Sequence, residues 1–461
     1  MPKDLPPFGG YSDPDVERVF DWMLGFLTAG EWRRRVESIE AQLEATVAPH
    51  ASRETATVHE SVSISDDRAA WYLYLIDTVL HAPLKYEPTQ GARVVPIFKR
   101  LGTDFDLLER VKGVDDRVER MLDSEKQQPD GALFELLVAL VWARNGSKEV
   151  ELLEEAPPEK RPDIRALIED EAWYIECKRL DKTSAYSERE RRKWLRMWTQ
   201  ARDVLIDRRY SVVLDVVFHV ELESLPDDFL VEELCGKLAL VQPPCSVISN
   251  EVWEVSASPV DYAAARDHLS RYCVKYPSDQ IVELIGGRRE PNRGFTSAIE
   301  GRFVQMGEGP GNNRFLDKLS FAVGAFWSCD ADRSTERKAR DIRGRLAEAV
   351  RQLPDGERGV VHVGLETLDG QIVEAERYAR IVNTVRQFDA EGKDLRWVYC
   401  HLFQSYAPPH DCWIIDETVY YFGRSDQTSH EPISKRSSVI PEDEADEDND
   451  GVSVHWMRPT P

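Results

Sequence analysis

Two acidic residues and a lysine are spaced so that they share one face of a predicted β-hairpin. Residues 161–169 and 172–179 read as two strands joined by a short polar turn. If the hairpin closes symmetrically on that turn, Asp163 lies opposite Glu176. Side chains alternate between the two faces of a strand, so Glu176 and Lys178 point the same way. Two carboxylates beside an amine form a site suited to a hard divalent cation.

The elements around this hairpin follow from apolar periodicity. Glu135 lies on a predicted helix over 131–144, which Asn145 and Gly146 terminate. Trp173, Ile175 and Cys177 point away from the acidic face and are expected in a core. The further predicted elements are a strand over 149–153, a helix over 187–207 and a β-branched strand over 211–220 that ends the same core. Beyond it, a short strand is expected over 281–285, one long helix over 332–353 and an apolar strand over 359–365.

Glu135, Pro162-Asp163 and Glu176-Cys177-Lys178, in this order, resemble the PD-(D/E)xK pattern of the restriction-endonuclease-like nuclease superfamily. The resemblance covers roughly residues 130–222. It implies an α/β (α+β) fold, with a restriction-endonuclease-like core on a central mixed sheet. A helical N-terminal region and additional α/β elements are expected to surround that core.

The same resemblance implies a cofactor and roles for the site residues. Mg²⁺, for which Mn²⁺ substitutes, is expected on Asp163, Glu176 and the backbone carbonyl of Cys177, with Glu135 as a further metal-binding carboxylate. Lys178 is expected to orient the attacking water. The alternative is that Glu176 and Lys178 are an ordinary ion pair on a surface hairpin.

Charge is unevenly distributed along the chain. The net charge of −24 argues against a nucleic-acid partner when it is taken as an average. Residues 186–210, however, hold eight basic side chains against four acidic ones, directly after the candidate site. Exposed charges are screened within roughly 10 Å at ~0.1 M salt, so this local excess decides phosphate contact. The predicted nucleic-acid-binding residues are Arg189, Arg192, Lys193, Arg196 and Gln200.

These features predict a Mg²⁺-dependent endonuclease or exonuclease that hydrolyses phosphodiester bonds. DNA is favoured over RNA on family prevalence alone, and a defence (antiviral) or repair role fits such an enzyme. A homodimer and a regulatory protein partner are further expectations. The alternative function is a non-catalytic nucleic-acid-binding or regulatory subunit that retains a nuclease-like scaffold.

Length and composition predict several units in one polypeptide. For 461 residues the sequence divides into a helical N-terminal region (1–120), a nuclease core (121–222), an insertion for substrate or partner recognition (223–318), a C-terminal α/β region (319–424) and a disordered acidic tail (425–461). The seven cysteines form no CxxC pair, so a reducing cytoplasmic location is expected. No apolar run reaches the ~18 residues that span a bilayer, which predicts no membrane partner.

Overall fold

The computed structural model describes most of the chain. The described residues are 10–51, 55–58, 64–154, 161–180, 184–238, 245–276, 278, 280–287, 293–307, 313–339, 341–367, 369–407, 412–424, 431–433 and 437–440. No helix among them is both long enough and apolar enough to cross a membrane.

Helices are distributed over the whole described chain. Their ends follow local signals: the Asp13 carboxylate accepts hydrogen bonds from the Asp15 and Val16 amides and caps α1. The helices are α1 (Pro14–Leu24), α2 (Ala29–Ala51), α3 (Arg68–His81), α4 (Pro88–Thr103), α5 (Phe105–Leu108), α6 (Val114–Leu122), α7 (Pro129–Arg144), α8 (Ala185–Asp207), α9 (Gly236–Leu238), α10 (Tyr262–Arg271), α11 (Gln280–Leu284), α12 (Asp332–Lys338), α13 (Arg343–Val350) and α14 (Gln371–Gln387).

The strands form two mixed sheets, which confirms a fold of mixed α and β structure. The strands are β1 (Thr55–Val58), β2 (Glu149–Leu152), β3 (Ile164–Ile168), β4 (Glu171–Arg179), β5 (Val212–Phe218), β6 (Cys245–Ser249), β7 (Trp253–Pro259), β8 (Val274–Lys275), β9 (Gly294–Gln305), β10 (Arg314–Cys329), β11 (Arg358–Glu366), β12 (Leu395–Tyr406) and β13 (Ile414–Gly423).

The candidate hairpin belongs to a six-stranded sheet of order β13-β12-β11-β4-β3-β2. Strand β4 pairs antiparallel with β3 and parallel with β11, and β11 pairs parallel with β12. One face packs on the N-terminal helices, with Ile175 and Cys177 in a core shared with Leu136 and Leu140 of α7. The other face is covered by α13 and α14. The sheet is therefore buried on both faces, as parallel strands require.

The strand predicted at 211–220 forms, but it does not join the hairpin sheet as expected. It is β5 in the second sheet, of order β1-β9-β10-β5-β7-β6 with β8 on β10. Its apolar side chains pack under α8 around the buried indoles of Trp194 and Trp198. The position next to β4 is taken instead by β11, about 180 residues along the chain. Alternating apolar residues identify a strand without identifying its neighbour.

Three other expectations differ from the structure. The apolar stretch at 281–285 lies in helix α11 and its end, where a strand was expected, and residues 332–353 form two helices, α12 and α13, where one was expected. The expected tail over 425–461 is ordered at 437–440: Ser438, Val439 and Ile440 are buried, and Glu417 accepts hydrogen bonds from all three. The acidic run at 442–450 lies outside the described residues.

Candidate functional site

A two-residue turn fixes the register of the hairpin. Glu169 and Asp170 both have positive φ, 49° and 73°, which is the geometry that matches the right-handed twist of paired strands. Ile164 pairs with Ile175 and Ile168 with Glu171, the register predicted from the sequence. Asp163 immediately precedes the first paired residue and lies at the level of Glu176.

Where the pairing of β3 with β4 ends, the Asp163 side chain replaces a main-chain carbonyl of β3 as the hydrogen-bond acceptor for β4. Its Oδ2 accepts a hydrogen bond from the Cys177 amide at 2.7 Å. Both main-chain groups of a strand residue are directed to the same neighbouring strand. The Cys177 carbonyl is therefore directed to the side on which Asp163 lies.

Glu176 is fully buried between the sheet and the segment that follows α13. Its Oε1 accepts hydrogen bonds from Lys178 Nζ and from Gln352 Nε2, both at 2.5 Å. No donor in the described chain reaches its buried Oε2. Glu176 has no exposed surface, whereas 20% of the Lys178 side chain remains exposed. Solvent thus meets this site from the side of Lys178 and of the half-buried Asp163.

Burial and the negative charge of Glu135 disfavour the charged form of both acids. Burial, followed by the negative charges of Glu135 and Glu176, holds the pKa of Asp163 well above its usual value. Burial raises the pKa of Glu176 to about 7, although Lys178 acts in the opposite direction. The two carboxyl groups lie within hydrogen-bonding reach of each other. Such an approach is favourable when one acid is protonated or when a cation neutralises the pair.

Glu135 is held by an arginine that sequence reasoning missed. Arg117 of α6 donates from Nε to Glu135 Oε2 at 2.5 Å and from Nη2 to Oε1 at 3.0 Å. Both Glu135 oxygens are thereby engaged. Its predicted role as a metal ligand stays a prediction, and this bidentate ion pair weighs against it.

Asp163 and Glu176 are better suited to binding a cation than to lying side by side as two charged carboxylates. Among the described residues, no group of three or more His, Cys, Asp or Glu side chains is arranged to hold a metal ion. Asp163 and Glu176 make a pair rather than such a group, and main-chain carbonyls such as that of Cys177 are also ligands for hard cations. The buried Glu176 Oε2 without a donor, beside a second carboxylate, fits a small hard divalent ion.

The predicted nucleic-acid-binding residues lie on α8, apart from the hairpin sheet. Arg189, Arg192, Arg196 and Gln200 are exposed. Lys193 is buried and forms an ion pair with Asp227, and Arg196 reaches the same carboxylate at 3.3 Å. Arg192 pairs with Glu188 at 3.0 Å. Part of the expected positive surface is therefore neutralised within the protein, and Lys193 is inaccessible to a phosphate.

Gln352 is a second residue at the site that sequence reasoning missed. It follows α13, whose crossover leads from β4 into the parallel strand β11. Helix α13 packs on β4 and β11, on the face of the sheet that carries Glu176. The apolar stretch at 359–365 was predicted as a strand, but its pairing with β4 was not.

Comparison of the chain with family models, with curated proteins and with solved structures finds no match.

Proposed function

We propose that this protein is a metal-dependent nuclease whose site is the acid pair, which we define as Asp163 and Glu176. The observation that carries the proposal is their contact: the buried carboxyl group of Glu176 and the half-buried one of Asp163 lie within hydrogen-bonding reach, both have raised pKa values, and Lys178 is bonded to Glu176. An internal structural role would be served better if Asp163 as well as Glu176 had a counter-charge of its own. The PD-(D/E)xK resemblance supports the same assignment.

Each residue of the site has a separable role in this proposal. Asp163, Glu176 and the Cys177 carbonyl would hold Mg²⁺, which supplies Lewis-acid stabilisation of the scissile phosphate and lowers the pKa of bound water. Lys178 Nζ orients the water and offers positive charge to the phosphate. Gln352 shares Glu176 Oε1 with Lys178 and so positions both groups.

DNA is the favoured substrate on the family resemblance alone. Exposed Arg189 and Arg192 lie on the helix that follows β4, where contacts to backbone phosphates would give affinity without sequence readout. Lys193 is not included among these contacts because it is buried.

A cleavage assay with matched variants tests the proposal. Wild type is incubated with linear and circular DNA and with RNA, in Mg²⁺ or Mn²⁺, and calorimetry measures binding of the metal alone. We expect Asp163→Asn and Lys178→Ala to lower the cleavage rate at least 100-fold, because charge stabilisation in such sites contributes about that much. Asp163→Asn should also weaken metal binding.

The controls come from the same hairpin. Asp170→Asn changes an exposed acid in the turn, and asparagine tolerates its positive φ. Lys148→Ala removes the exposed lysine that pairs with Asp170. Both controls should retain full activity. Equal activity in Asp163→Asn and wild type would refute the proposed site.

The second candidate function is a binding or regulatory subunit without catalysis. The observation in its favour is that Glu176 has no exposed surface, while Lys178 and Gln352 both occupy one of its oxygens. This candidate predicts nucleic-acid binding without cleavage and without metal binding. Calorimetry with Mg²⁺ therefore separates the two functions.

A further inference from the structure

A second polar site lies on the opposite face of the hairpin sheet, at the carboxyl ends of its parallel strands. Arg179 ends β4, Glu366 ends β11, and Phe403 and Ser405 lie near the end of β12. Together with Arg93 of α4 they line a pocket of about 440 Å³, part of which is open to solvent. We call it the strand-end pocket. Ligands of open α/β sheets bind preferentially outside the carboxyl ends of parallel strands.

An ion cluster lies along the polar wall of this pocket, and we call it the strand-end cluster: Arg68, Arg93, Asp130, Arg179 and Glu366. Glu366 Oε1 accepts from Arg93 Nε at 3.0 Å and from Arg179 Nη2 at 2.8 Å. Asp130, at the start of α7, accepts from Arg68 at 2.5 Å and from the Tyr72 hydroxyl at 2.8 Å. Within the described chain, the buried Nη1 of Arg179 has no hydrogen-bond partner. A buried N–H without an acceptor costs about 1–3 kcal/mol.

The cluster carries one surplus positive charge. Three guanidinium groups, those of Arg68, Arg93 and Arg179, face two carboxylates, Asp130 and Glu366. Arg93 and Arg68 overcome the effect of burial and hold the pKa of Asp130 at about 2, so both that acid and its arginines stay charged at neutral pH. A monoanion would neutralise the cluster, whereas a dianion would reverse its sign.

The remaining walls are apolar. They are formed by Ile97, Phe134, Leu137, Phe403, Ile415 and Ile440. Gly364 makes room for this arrangement, because a Cβ there would lie 3.0 Å from the Phe134 ring and 3.1 Å from Arg179 Cδ. A ligand that fills the pocket therefore needs an apolar body as well as a charged group.

We propose that the strand-end pocket binds a small organic carboxylate with an apolar body, its carboxylate accepting a hydrogen bond from Arg179. Arginine matches the geometry of a carboxylate, and the single negative charge completes the cluster. The site goes beyond the proposed nuclease function and does not depend on it.

Titration calorimetry of the full chain tests this proposal without metal or nucleic acid. The ligands are benzoate, its neutral isostere benzamide and the dianion phenyl phosphate, all at pH 8 and equal ionic strength. We expect one benzoate per chain, bound at least tenfold more tightly than either of the other two. Equal binding of benzamide would refute the role of charge. Equal or tighter binding of phenyl phosphate would refute the monoanion, and no binding of benzoate would refute the site.

Variants locate the binding within the molecule. Arg179→Gln should weaken benzoate binding at least tenfold, as expected for loss of a charged hydrogen-bond donor. Ser405→Trp fills the pocket and leaves every charge of the cluster in place, so it should abolish binding even if Arg179→Gln fails to fold. Arg358→Gln removes an arginine from the other end of the sheet and should bind like wild type. Unchanged binding by folded Ser405→Trp would place benzoate elsewhere and refute the proposal.

Discussion

The two faces of β4 carry two ionic sites with opposite balances of charge. On one face the acid pair has two carboxylates, and Lys178 donates a hydrogen bond to Glu176. At the end of the same strand, the strand-end cluster gives every carboxylate at least one guanidinium. Burial disfavours the charged form of the carboxyl groups at both sites, so the comparison shows the effect of the neighbouring charges.

The pKa values follow that difference. Burial is the largest effect at both Asp163 and Asp130. Neighbouring carboxylates add to it at Asp163, so its pKa lies well above the usual value. Arginines reverse it at Asp130, where the pKa is about 2. The acid pair thus has one neighbouring positive charge, that of Lys178, for two carboxyl groups, and the proposed cation would supply the missing charge.

Replacing Asp130 and Asp163 by asparagine should give the largest contrast between the two sites, because the two substitutions should change the free energy of unfolding in opposite directions. Asp130→Asn leaves Arg68 and Arg93 with one carboxylate fewer and should lower the free energy of unfolding by about 3 kcal/mol. Asp163→Asn keeps an acceptor for the Cys177 amide, removes a repelling charge and should raise it by about 1 kcal/mol at pH 8.

Denaturant unfolding of both variants at pH 8 measures the two values. Asp170→Asn, in the exposed turn, serves as the control and should change stability by less than about 0.5 kcal/mol. Destabilisation by Asp163→Asn equal to that by Asp130→Asn would show that the acid pair is compensated after all.

The pH dependence of stability should separate the sites next. A raised pKa in the folded state means that the folded acid pair binds protons more tightly than the unfolded chain does. Its contribution to stability is therefore greatest near pH 4.5, the ordinary value for Glu176, and is lost as the pH rises through about 7. We expect the free energy of unfolding to fall by about 2 kcal/mol over this range. The lowered pKa of Asp130 acts oppositely: its contribution is present above pH 3.8 and is lost as the pH falls through about 2.

The Glu176→Gln variant tests whether Glu176 causes the loss of stability near neutral pH. It keeps the shape of the side chain and removes one titrating group of the acid pair, so its free energy of unfolding should fall less than that of wild type between pH 5 and pH 8. A loss of the same size in wild type and Glu176→Gln would mean that other groups titrate there.

Local chemistry made the hairpin predictable, and long-range pairing made the rest unpredictable. The turn over Glu169 and Asp170 sets the register of its two strands, so the position of Asp163 opposite Glu176 followed from spacing alone. Gln352 reaches Glu176 only because β11 pairs with β4, although the strands of the second sheet lie between them in the sequence. No local sequence pattern encodes that pairing. The same reason explains the strand at 212–218, which was recognised as a strand and assigned to the wrong sheet.

The helix contacts were hidden for a related reason. Arg117 and Arg93 appear in the sequence as ordinary charged residues of amphipathic helices. Their partners, Glu135 and Glu366, are fixed by how α6 and α4 pack on the rest of the fold. An ion pair between distant segments leaves no periodic signal in the sequence. Neither the ion pair of Arg117 with Glu135 nor the strand-end cluster was therefore predictable.

Substitution of the two turn residues should have the smallest effect on the free energy of unfolding, and it leaves the side chains of the acid pair unchanged. Glu169 and Asp170 occupy positive φ, which asparagine and glycine adopt with less strain. Glu169→Asn with Asp170→Gly should raise the free energy of unfolding by about 0.5–1 kcal/mol, measured by denaturant unfolding. Because the register stays the same, the loss of stability between pH 5 and pH 8 should keep its size. A stabilised variant that lost this pH dependence would show that the acid pair depends on a strained turn, and the contrast with the strand-end cluster would then arise from backbone geometry rather than from missing positive charge.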